Sequence, residues 1–289
     1  MFRNIWAIRS GRFAILIIGV AILLVAFGPL LAPYDPLEGS ELVLSGPSFQ
    51  HPFGTDYLGR DTLSRLLAGA PLSIASAVQV GVIGLVVGAV PGVLSVYSGR
   101  VFEWVTLRLI DTLIALPFLV FAVAVTALLG NALTQAMLVV GVLTAPAFYR
   151  VARASTLAVA NSPYVEAAQL AGADVSWIVR KHVTGKVLPP LAITLASTLG
   201  VGLIAVAALS FLGIGVQPPA PTWGGMLASD LKYLTFRPFA PIIPSIPIIV
   251  LVWAFNMLAD VIRDVSGESG RQLLARSRRR RGLTPKQGV

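Results

Sequence analysis

Six long apolar stretches constrain the fold of this chain more than any other feature. Each has about 20 or more residues with few charges, the length that an α-helix needs to cross the hydrocarbon core of a bilayer. The predicted spans are Phe13–Leu31, Leu72–Tyr97, Trp104–Leu129, Ala132–Val151, Leu188–Val216 and Ala240–Ile262. The sequence therefore predicts an all-α integral membrane protein with six transmembrane helices.

The composition excludes several classes of site. Only 12% of the 289 residues are charged, whereas a soluble domain has about 25%. The chain has no cysteine, which excludes disulfides and thiolate metal sites. Of the two histidines, His51 is expected to pack in or be solvated by its loop rather than bind a metal, which would need further ligands nearby. His182 is expected to be an anchor at the membrane interface.

The distribution of lysine and arginine predicts the orientation. If the N-terminus is cytoplasmic, 18 of the 22 basic residues fall on the inside and four on the outside, namely Arg60, Arg65, Lys232 and Arg237. Cytoplasmic loops carry such an excess, so both termini are expected in the cytoplasm. Trp177 and Trp223 are expected at membrane interfaces, where tryptophan is enriched.

The spans divide the chain into three predicted regions. Residues 1–71 are expected to hold an uncleaved first span, whose apolar run exceeds that of a usual signal peptide, and an outer lobe. Residues 72–265 form the membrane core, with a cytoplasmic loop at 152–187. Residues 266–289 form a basic cytoplasmic tail whose arginines are expected to face anionic lipid.

The outer lobe carries charges of alternating sign just before the second span: Asp56, Arg60, Asp61 and Arg65. We expect these residues to pair and to fix the lobe at the outer mouth. Exposed pairs are individually worth only about 0–1 kcal/mol. The sequence therefore predicts that the loss of one partner has a mild effect.

The second predicted span carries small residues at helical spacing: Ala77, Gly81, Gly84, Gly88 and Gly92. Small residues allow helix backbones to approach closely in lipid. The stripe predicts a close helix contact, either within this chain or with a second membrane subunit, and the sequence favours neither.

Charges at membrane depth are few. Asp111 and Asp260 lie near predicted cytoplasmic ends, each one turn from an arginine, Arg108 or Arg263, and are expected to pair with it. Ion-coupled carriers usually bury carboxylates near the midplane. The sequence thus argues against an ion-coupled secondary transporter.

A short helix with a defined start and stop is predicted in the cytoplasmic loop. Ser162 is a good N-cap and Pro163 suits the first helical position, while Gly172 can end the helix in a left-handed conformation. Tyr164 shares one face with small residues, Ala167, Ala168, Ala171 and Gly172. A face of this kind can sink into a groove of another protein. A second amphipathic helix is expected after Asp174 or Ser176.

Catalytic motifs are absent from the sequence. No G-x-x-x-x-G-K-[ST] phosphate loop occurs, so the chain is not expected to hydrolyse ATP. No nucleophile elbow accompanies its serine, histidine and aspartate residues. An enzymatic role is therefore disfavoured.

Three ordered motifs resemble one family. Glu166-Ala167-Ala168 followed by Gly172 matches the EAA signature of ABC importer permeases. The segment from His51 to Leu67, with Gly54, Asp56, Gly59, Arg60, Asp61 and Arg65, resembles the outer-loop signature of the dipeptide/oligopeptide/nickel subfamily. Phe211 to Pro219, with Trp223 and Gly224, resembles its signature after the fifth span. The resemblance covers nearly the whole chain and points to the second, C-type permease.

The resemblance implies a type I ABC importer permease fold and a set of partners. Two homologous permeases form the path, two ABC ATPases bind ATP and Mg, and an extracellular or periplasmic binding protein delivers substrate. The helix with Tyr164, Glu166 and Gly172 is then the coupling helix that docks on the ATPase. Peptides are the expected substrates, with nickel chelates, glutathione or haem as alternatives.

One segment departs from the family pattern. After His182-Val183 the family commonly has Leu-Pro-Asn, whereas this chain has Thr184-Gly185-Lys186 and places its prolines at Pro189 and Pro190. The chain is therefore expected to re-enter the membrane with different local geometry, without loss of docking, because the short helix ends before this point.

Overall fold

The computed structural model describes residues 5–6, 8–130, 132–215 and 219–266. The basic tail, Ser277 and the motif residues 216–218 lie outside the described residues. The described part is helical, and its main helices are α1 (Arg9–Phe27), α2 (Thr62–Ala68), α3 (Ala70–Leu94), α4 (Arg100–Ala115), α5 (Phe118–Leu128), α6 (Leu133–Ala160), α7 (Pro163–Leu170), α8 (Val175–Ile178), α9 (Thr184–Phe211), α10 (Trp223–Leu231) and α11 (Ile242–Ser266). A 3-10 turn (Gly28–Leu31) extends α1, and a π turn (Val179–Val183) joins α8 to α9.

Six spans are present if one bent helix pair counts as a span. Within the described residues, five segments are long and apolar enough to cross a membrane: Arg9–Leu31, Thr62–Leu94, Leu133–Ala160, Val175–Phe211 and Ile242–Ser266. The sixth comprises α4 and α5, which meet at an angle of 100°. The predicted membrane bundle is thus confirmed, and the third span, predicted over Trp104–Leu129, is divided between the two helices α4 and α5.

Pro117 accounts for the break in the third span. A proline disfavours helical backbone in the residue before it, and Leu116 is extended, with φ −77° and ψ 135°. Pro117 itself has φ −62° and ψ 107° and precedes the first residue of α5. The chain therefore turns sharply here and resumes as an apolar helix.

The small residues of α3 pack within this chain. A Cβ built on Gly84 would lie 2.4 Å from Thr144 Oγ1, and one on Gly88 would lie 2.2 Å from the Ala145 carbonyl oxygen. One on Gly92 would lie 2.7 Å from the Tyr149 carbonyl oxygen. Gly81 faces leucine side chains of α9 instead. Between the two alternatives left open by the sequence, the stripe serves contacts inside the chain, chiefly of α3 with α6.

Three of the four apolar clusters among the described residues join the helices around the candidate site. The first joins α3, α5, α6 and α9 around Val80 and Met137. The second joins α1, α3, α9 and α11 and includes the indole of Trp223. The third extends into the loop region, where Val165, Ile178 and Val183 pack against Phe148 and Ala152. Through this third cluster, the short helix α7 is attached to the transmembrane helices α3 and α6.

Segments predicted on the same side of the membrane meet in the structure. Arg237 donates to the carbonyl oxygens of Phe53 and Thr55 at the predicted outer end. At the predicted cytoplasmic end, the Arg153 guanidinium pairs with Glu103. Both contacts are compatible with the orientation that the basic residues predict.

Cysteine labelling tests this orientation. A membrane-impermeant thiol reagent is expected to label Ser45→Cys and Ala220→Cys in intact cells, because the basic residues place both on the outside. Ser176→Cys and Ser277→Cys should react only after the cells are permeabilised. Labelling of Ser176→Cys in intact cells would reverse the topology.

Candidate functional site

The start of α7 follows the predicted positions, although not the predicted bond. Ser162 is the N-cap residue, with extended backbone (φ −89°, ψ 144°), and Pro163 is the first helical residue. The Ser162 hydroxyl, however, donates to the Val159 carbonyl of α6 and makes no capping bond. Ser162 therefore joins the end of α6 to α7, and its predicted side-chain cap is wrong.

The end of α7 is fixed by a Schellman motif. Gly172 has φ +85°, a left-handed conformation that costs a residue with a Cβ about 1–2 kcal/mol. Its N–H donates to the Gln169 carbonyl oxygen at 2.9 Å, and the Ala173 N–H donates to that of Ala168 at 3.0 Å. These are the two bonds of the motif. The predicted left-handed helix end at Gly172 is confirmed.

The helix α7 is anchored by one residue and exposed elsewhere. Val165 is 0% exposed, in the third apolar cluster. The other face carries Tyr164, Glu166, Ala167, Ala171 and Gly172, which are exposed, and Ala168, which is half-buried. The face of small residues around Tyr164 thus lies at the surface of this chain, as the sequence predicts.

The sequence interpretation missed Leu170 as part of this surface and placed Trp177 at the membrane interface instead. Leu170 is 85% exposed, although it lies outside the predicted spans. Trp177 is half-exposed and contacts the ring of His182, with centroids 5.3 Å apart, while Tyr164 lies 5.4 Å from the same imidazole. The sequence offered one signal for Leu170: a leucine that does not share the buried face of a short loop helix indicates an exposed apolar contact. These residues extend the exposed apolar surface beyond α7.

The return to the membrane is continuous helix. Asp174 caps α8 by accepting from the Trp177 N–H at 3.2 Å. The pKa of Asp174 is lowered, chiefly because its carboxylate also accepts a hydrogen bond from the Ser176 hydroxyl. After the π turn, Thr184 donates its hydroxyl to the Val179 carbonyl at 2.9 Å. Thr184-Gly185-Lys186 therefore forms the first turn of α9, with Pro189 and Pro190 further along it.

Two aspartates near the predicted cytoplasmic ends pair locally. Asp111 Oδ2 lies 4.0 Å from Arg108, and its Oδ1 lies 3.8 Å from Arg150 of α6. Asp260 pairs with Arg263 at 2.9 Å. The predicted pairing one turn away is confirmed for both aspartates, and Arg150 adds a partner that the sequence did not predict.

The outer lobe is organised by two buried aspartates. Asp61 caps α2 by accepting from the N–H and the hydroxyl of Ser64, both at 2.7 Å, while its other oxygen lies 2.9 Å from His51 Nδ1. Asp56 Oδ2 accepts from Arg60 Nε and Nη2, both at 2.7 Å, and lies 3.4 Å from Arg65 Nε. His51 is thus packed in its loop rather than solvated.

The motif glycines of the outer lobe permit its tight turns. Gly54 and Gly59 have φ +72° and +74°. A Cβ on Gly59 would lie 2.0 Å from the Ser40 carbonyl oxygen. The lobe is also tied to the second half of the chain, because the Trp223 indole N–H donates to the Leu66 carbonyl at 2.9 Å. Trp223 is fully buried, so its indole packs inside the chain and does not face lipid headgroups.

Burial corrects the predicted energetics of this lobe. Arg60 is 4% exposed and Asp61 is 2% exposed, so these are not the exposed pairs that the sequence suggested. Removal of one partner from a buried pair costs about 3–5 kcal/mol because the other charge is left unpaired. The premise that these pairs are exposed is therefore wrong, and we now expect the loss of one partner to have a large effect.

Arg60→Ala is expected to destabilise the purified protein strongly. Asp56 would keep the bonds from the backbone N–H groups of Leu58 and residue 60, but its charged partner would then be the more distant Arg65, 3.4 Å away. We therefore expect a loss of about 3 kcal/mol and a clearly lower melting temperature in detergent. The matched control is Arg108→Ala, which removes an exposed pair worth about 0–1 kcal/mol. Equal melting temperatures for the two variants would contradict this account.

Asp230 near the same lobe makes stability depend on pH. Its burial raises the pKa to about 6, against the opposing effect of Arg237. The folded state therefore holds this proton more tightly than the unfolded state, and stability falls as pH rises from about 4 to about 6. Asp230→Asn should raise the melting temperature most at pH 7.5 and not at pH 4. A difference that is constant with pH would exclude Asp230 as the cause.

One family of known proteins matches most of this chain. Residues 81–269 match the family described as "Binding-protein-dependent transport system inner membrane component". The glutathione transport system permease protein GsiD of Escherichia coli O1:K1 / APEC is 35% identical over 264 residues, 91% of this chain and 86% of the relative. The same figures hold for GsiD of Shigella boydii serotype 4 (strain Sb227).

Two solved structures share the fold. A chain of the MetNI methionine ABC transporter, in inward-facing conformations, aligns with a TM-score of 0.57 at 22% identity, over 70% of this chain and 96% of that chain. A chain of an amino acid ABC transporter solved with histidines aligns with a TM-score of 0.53 at 16% identity, over 72% and 94%. At these identities the likeness establishes the arrangement of helices alone.

Proposed function

Because the chain belongs to the family of binding-protein-dependent transport system inner membrane components, we propose that it forms half of an import path for small peptides. It is a multi-pass permease subunit of an ABC importer in the inner membrane. The outer-loop signature supports peptides as substrates, and the similarity to a glutathione permease makes that tripeptide a specific candidate. Nickel chelates and haem remain alternatives.

One observation carries the proposal. The helix α7 lies outside the spans and has an exposed apolar surface, while its buried residue Val165 attaches it to the transmembrane helices. Leu170 and Tyr164 on this surface have no lipid to cover them. The small side chains between them allow another protein to approach closely. We infer that the occupant is an ABC ATPase, and that α7, with Tyr164, Glu166, Ala167, Ala168, Ala171 and Gly172, is the coupling helix.

The attachment of α7 explains how such docking would move the bundle. Val165, Ile178 and Val183 pack against Phe148 and Ala152 of α6. Protein interiors are close-packed and transmit displacement. A shift of α7 by an ATPase would therefore be passed to α6, and through its glycine contacts to α3.

The division of labour between subunits is part of the proposal. The chain lacks a phosphate-binding loop, so ATP and Mg would be bound by two ATPase subunits. A second, homologous permease would complete the path, and an extracellular binding protein would deliver substrate. The glycine stripe of α3 is occupied within this chain, so the partner permease would use other apolar faces of residues 72–265.

Reconstitution tests the proposal. Proteoliposomes with the complete set of subunits are expected to take up labelled dialanine or glutathione only with ATP, the ATPases and the binding protein present. Each omission should abolish uptake. Uptake driven by a proton or sodium gradient without ATP would instead establish a secondary transporter.

A further inference from the structure

The third span exposes its backbone where it bends. Leu116 and Pro117 leave the helical conformation between α4 and α5, and Ile114, Ala115 and Pro117 are exposed there. The last four carbonyl groups of a helix have no partner inside it. Within the part of the chain that the structure describes, no backbone N–H from outside α4 donates to the carbonyls of residues 112–115. Pro117 has no N–H to donate, so these carbonyls need another partner.

The break lies at membrane depth. Helix α5 has 11 residues and is therefore about 16 Å long at about 1.5 Å per residue, roughly half of a hydrocarbon core of about 30 Å. Its far end lies at the predicted outer side, where Ala132 pairs with Gly215 beyond the end of α9. A tilt of α5 would bring the break closer to that side. Lipid headgroups of the cytoplasmic side are therefore too far away to solvate the carbonyls at the break.

Charged side chains lie on the same exposed side of α4. Arg108 and Asp111 are each more than half exposed, and so is Arg150 of α6, which approaches Asp111 to 3.8 Å. Ala115 follows Asp111 by one helical turn and shares this side of α4. Charged residues inside transmembrane segments almost always face the interior of a bundle or a water-filled cavity. The charges and the carbonyls at the break thus form one polar surface on the third span.

Neither lipid nor a dry protein contact suits this polar surface. Hydrocarbon offers no donor to a carbonyl, so irregular backbone at this depth occurs only where it is buried in protein or lines a water-filled cavity. The described chain does not bury the break, since Ala115 and Pro117 are exposed. A dry contact with another subunit would enclose Arg108 and Arg150 with a single carboxylate, that of Asp111, and buried charges are costly unless they are paired. Water solvates both the carbonyls and the charges.

We propose that the break at Leu116 and Pro117, together with the charged side of α4, lines a water-filled cavity, and that this cavity is the substrate path. The cavity rests on the exposed break and on the charges alone. Its use by an imported peptide rests also on the proposed function. In such a path the carbonyls of residues 112–115 accept hydrogen bonds from water or from the N–H groups of a passing peptide.

Fluorescence quenching distinguishes water, lipid and protein at the break. The chain has no cysteine, so Ala115→Cys provides its single thiol for a bimane label, attached to the assembled transporter in nanodiscs. The parent transporter, treated in the same way, gives the background from the other subunits. Iodide, which stays in water, is expected to quench the label. A nitroxide on the acyl chains of the lipid is expected not to quench it.

Val20→Cys on α1 is the matched control. Val20 is 48% exposed, and no polar side chain occurs between Phe13 and Leu31, so lipid or a partner covers this side of α1 without water. The Stern–Volmer constant for iodide should be several-fold larger for Ala115→Cys than for Val20→Cys. For Ala115→Cys, quenching by the nitroxide alone would mean lipid, quenching by both would mean headgroups, and quenching by neither would mean a dry contact. Each of these three results would overturn the cavity.

A second measurement decides whether the cavity is the substrate path. In proteoliposomes with all subunits, the bulky label on Ala115→Cys is expected to lower ATP-driven uptake of dialanine several-fold relative to the same preparation before labelling, while ATPase recovery stays constant. The label on Val20→Cys should change neither. Unchanged uptake by labelled Ala115→Cys, together with quenching by iodide, would overturn the cavity as the path. A parent transporter without any ATP-driven uptake would overturn the proposed function, while the quenching would still decide the cavity.

Discussion

Gly88→Leu is expected to abolish accumulation of folded protein in the membrane. A Cβ at this position would lie 2.2 Å from the Ala145 carbonyl oxygen and 2.8 Å from Phe148 Cβ. The first obstacle is backbone of α6, which cannot move aside like the end of a flexible side chain. Even Gly88→Ala is expected to cost about 1–3 kcal/mol by overpacking, and leucine adds three more carbon atoms at the same contact.

Gly19→Leu on α1 is the matched control, since a Cβ there would meet nothing within 4 Å. It introduces the same side chain into another transmembrane helix. Membrane content and the size-exclusion profile in detergent should match the parent for Gly19→Leu, whereas Gly88→Leu should give little monodisperse protein. Similar yields for both variants would show that the contact of α3 with α6 tolerates separation.

The bundle and its close contact were predictable because both depend on local patterns. Apolar length alone predicts a span, and small residues at helical spacing predict a close helix contact. The helix that makes this contact was not predictable, because the stripe of small residues on α3 does not indicate which helix packs against it. The break at Pro117 had a local signal, since a proline disfavours helix in the preceding residue, but the continuous apolar run outweighed it in the prediction.

In the outer lobe, the charge pairs were predictable from the sequence but their burial was not. Alternating charges predicted pairs, and the pairs of Asp56 with Arg60 and Arg65 exist. Their burial depends on Trp223 and Arg237, which bond to carbonyls of the lobe from more than 150 positions away. Burial changes the expected cost of losing Arg60 from under about 1 kcal/mol to about 3–5 kcal/mol. Only the tertiary arrangement could supply that difference.

The short helix α7 was predictable in its ends and only partly in its surface. Pro163 and Gly172 mark the boundaries through their own backbone preferences. The hydroxyl of Ser162 donates to the Val159 carbonyl of α6 instead of accepting from an N–H of α7, because α6 ends only two residues before Ser162. The burial of Val165 likewise depends on α6, and it decides which face of α7 remains for a partner.

Gly172→Leu is expected to lower both ATPase recovery and substrate uptake while the permease remains in the membrane. A Cβ at Gly172 meets nothing within 4 Å in this chain, so the leucine would project outward from the end of α7. There it would hold an ATPase away from the small-residue face. Overpacking of a close contact costs about 1–3 kcal/mol, which weakens docking about five- to 150-fold.

Backbone strain is separated from bulk by a control elsewhere in the chain. Gly99 also has φ +85°, and a Cβ there likewise meets nothing within 4 Å, but it precedes α4 rather than ending α7. Gly99→Leu therefore introduces the same side chain outside α7, at a backbone whose ψ of 169° makes the strain at least as large. It should leave ATPase recovery and uptake near the parent values.

Two further variants on α7 separate volume from charge. Ala168→Leu adds bulk to the half-buried centre of the small-residue face and should resemble Gly172→Leu. Glu166→Ala removes an exposed charge without adding volume, so we expect it to affect docking less. The three readouts, uptake, ATPase rate and co-purification of the ATPase, must be measured on the same preparations. Normal co-purification and uptake for both Ala168→Leu and Gly172→Leu would mean that the ATPase docks elsewhere, because no close contact with this face could accommodate either leucine unchanged.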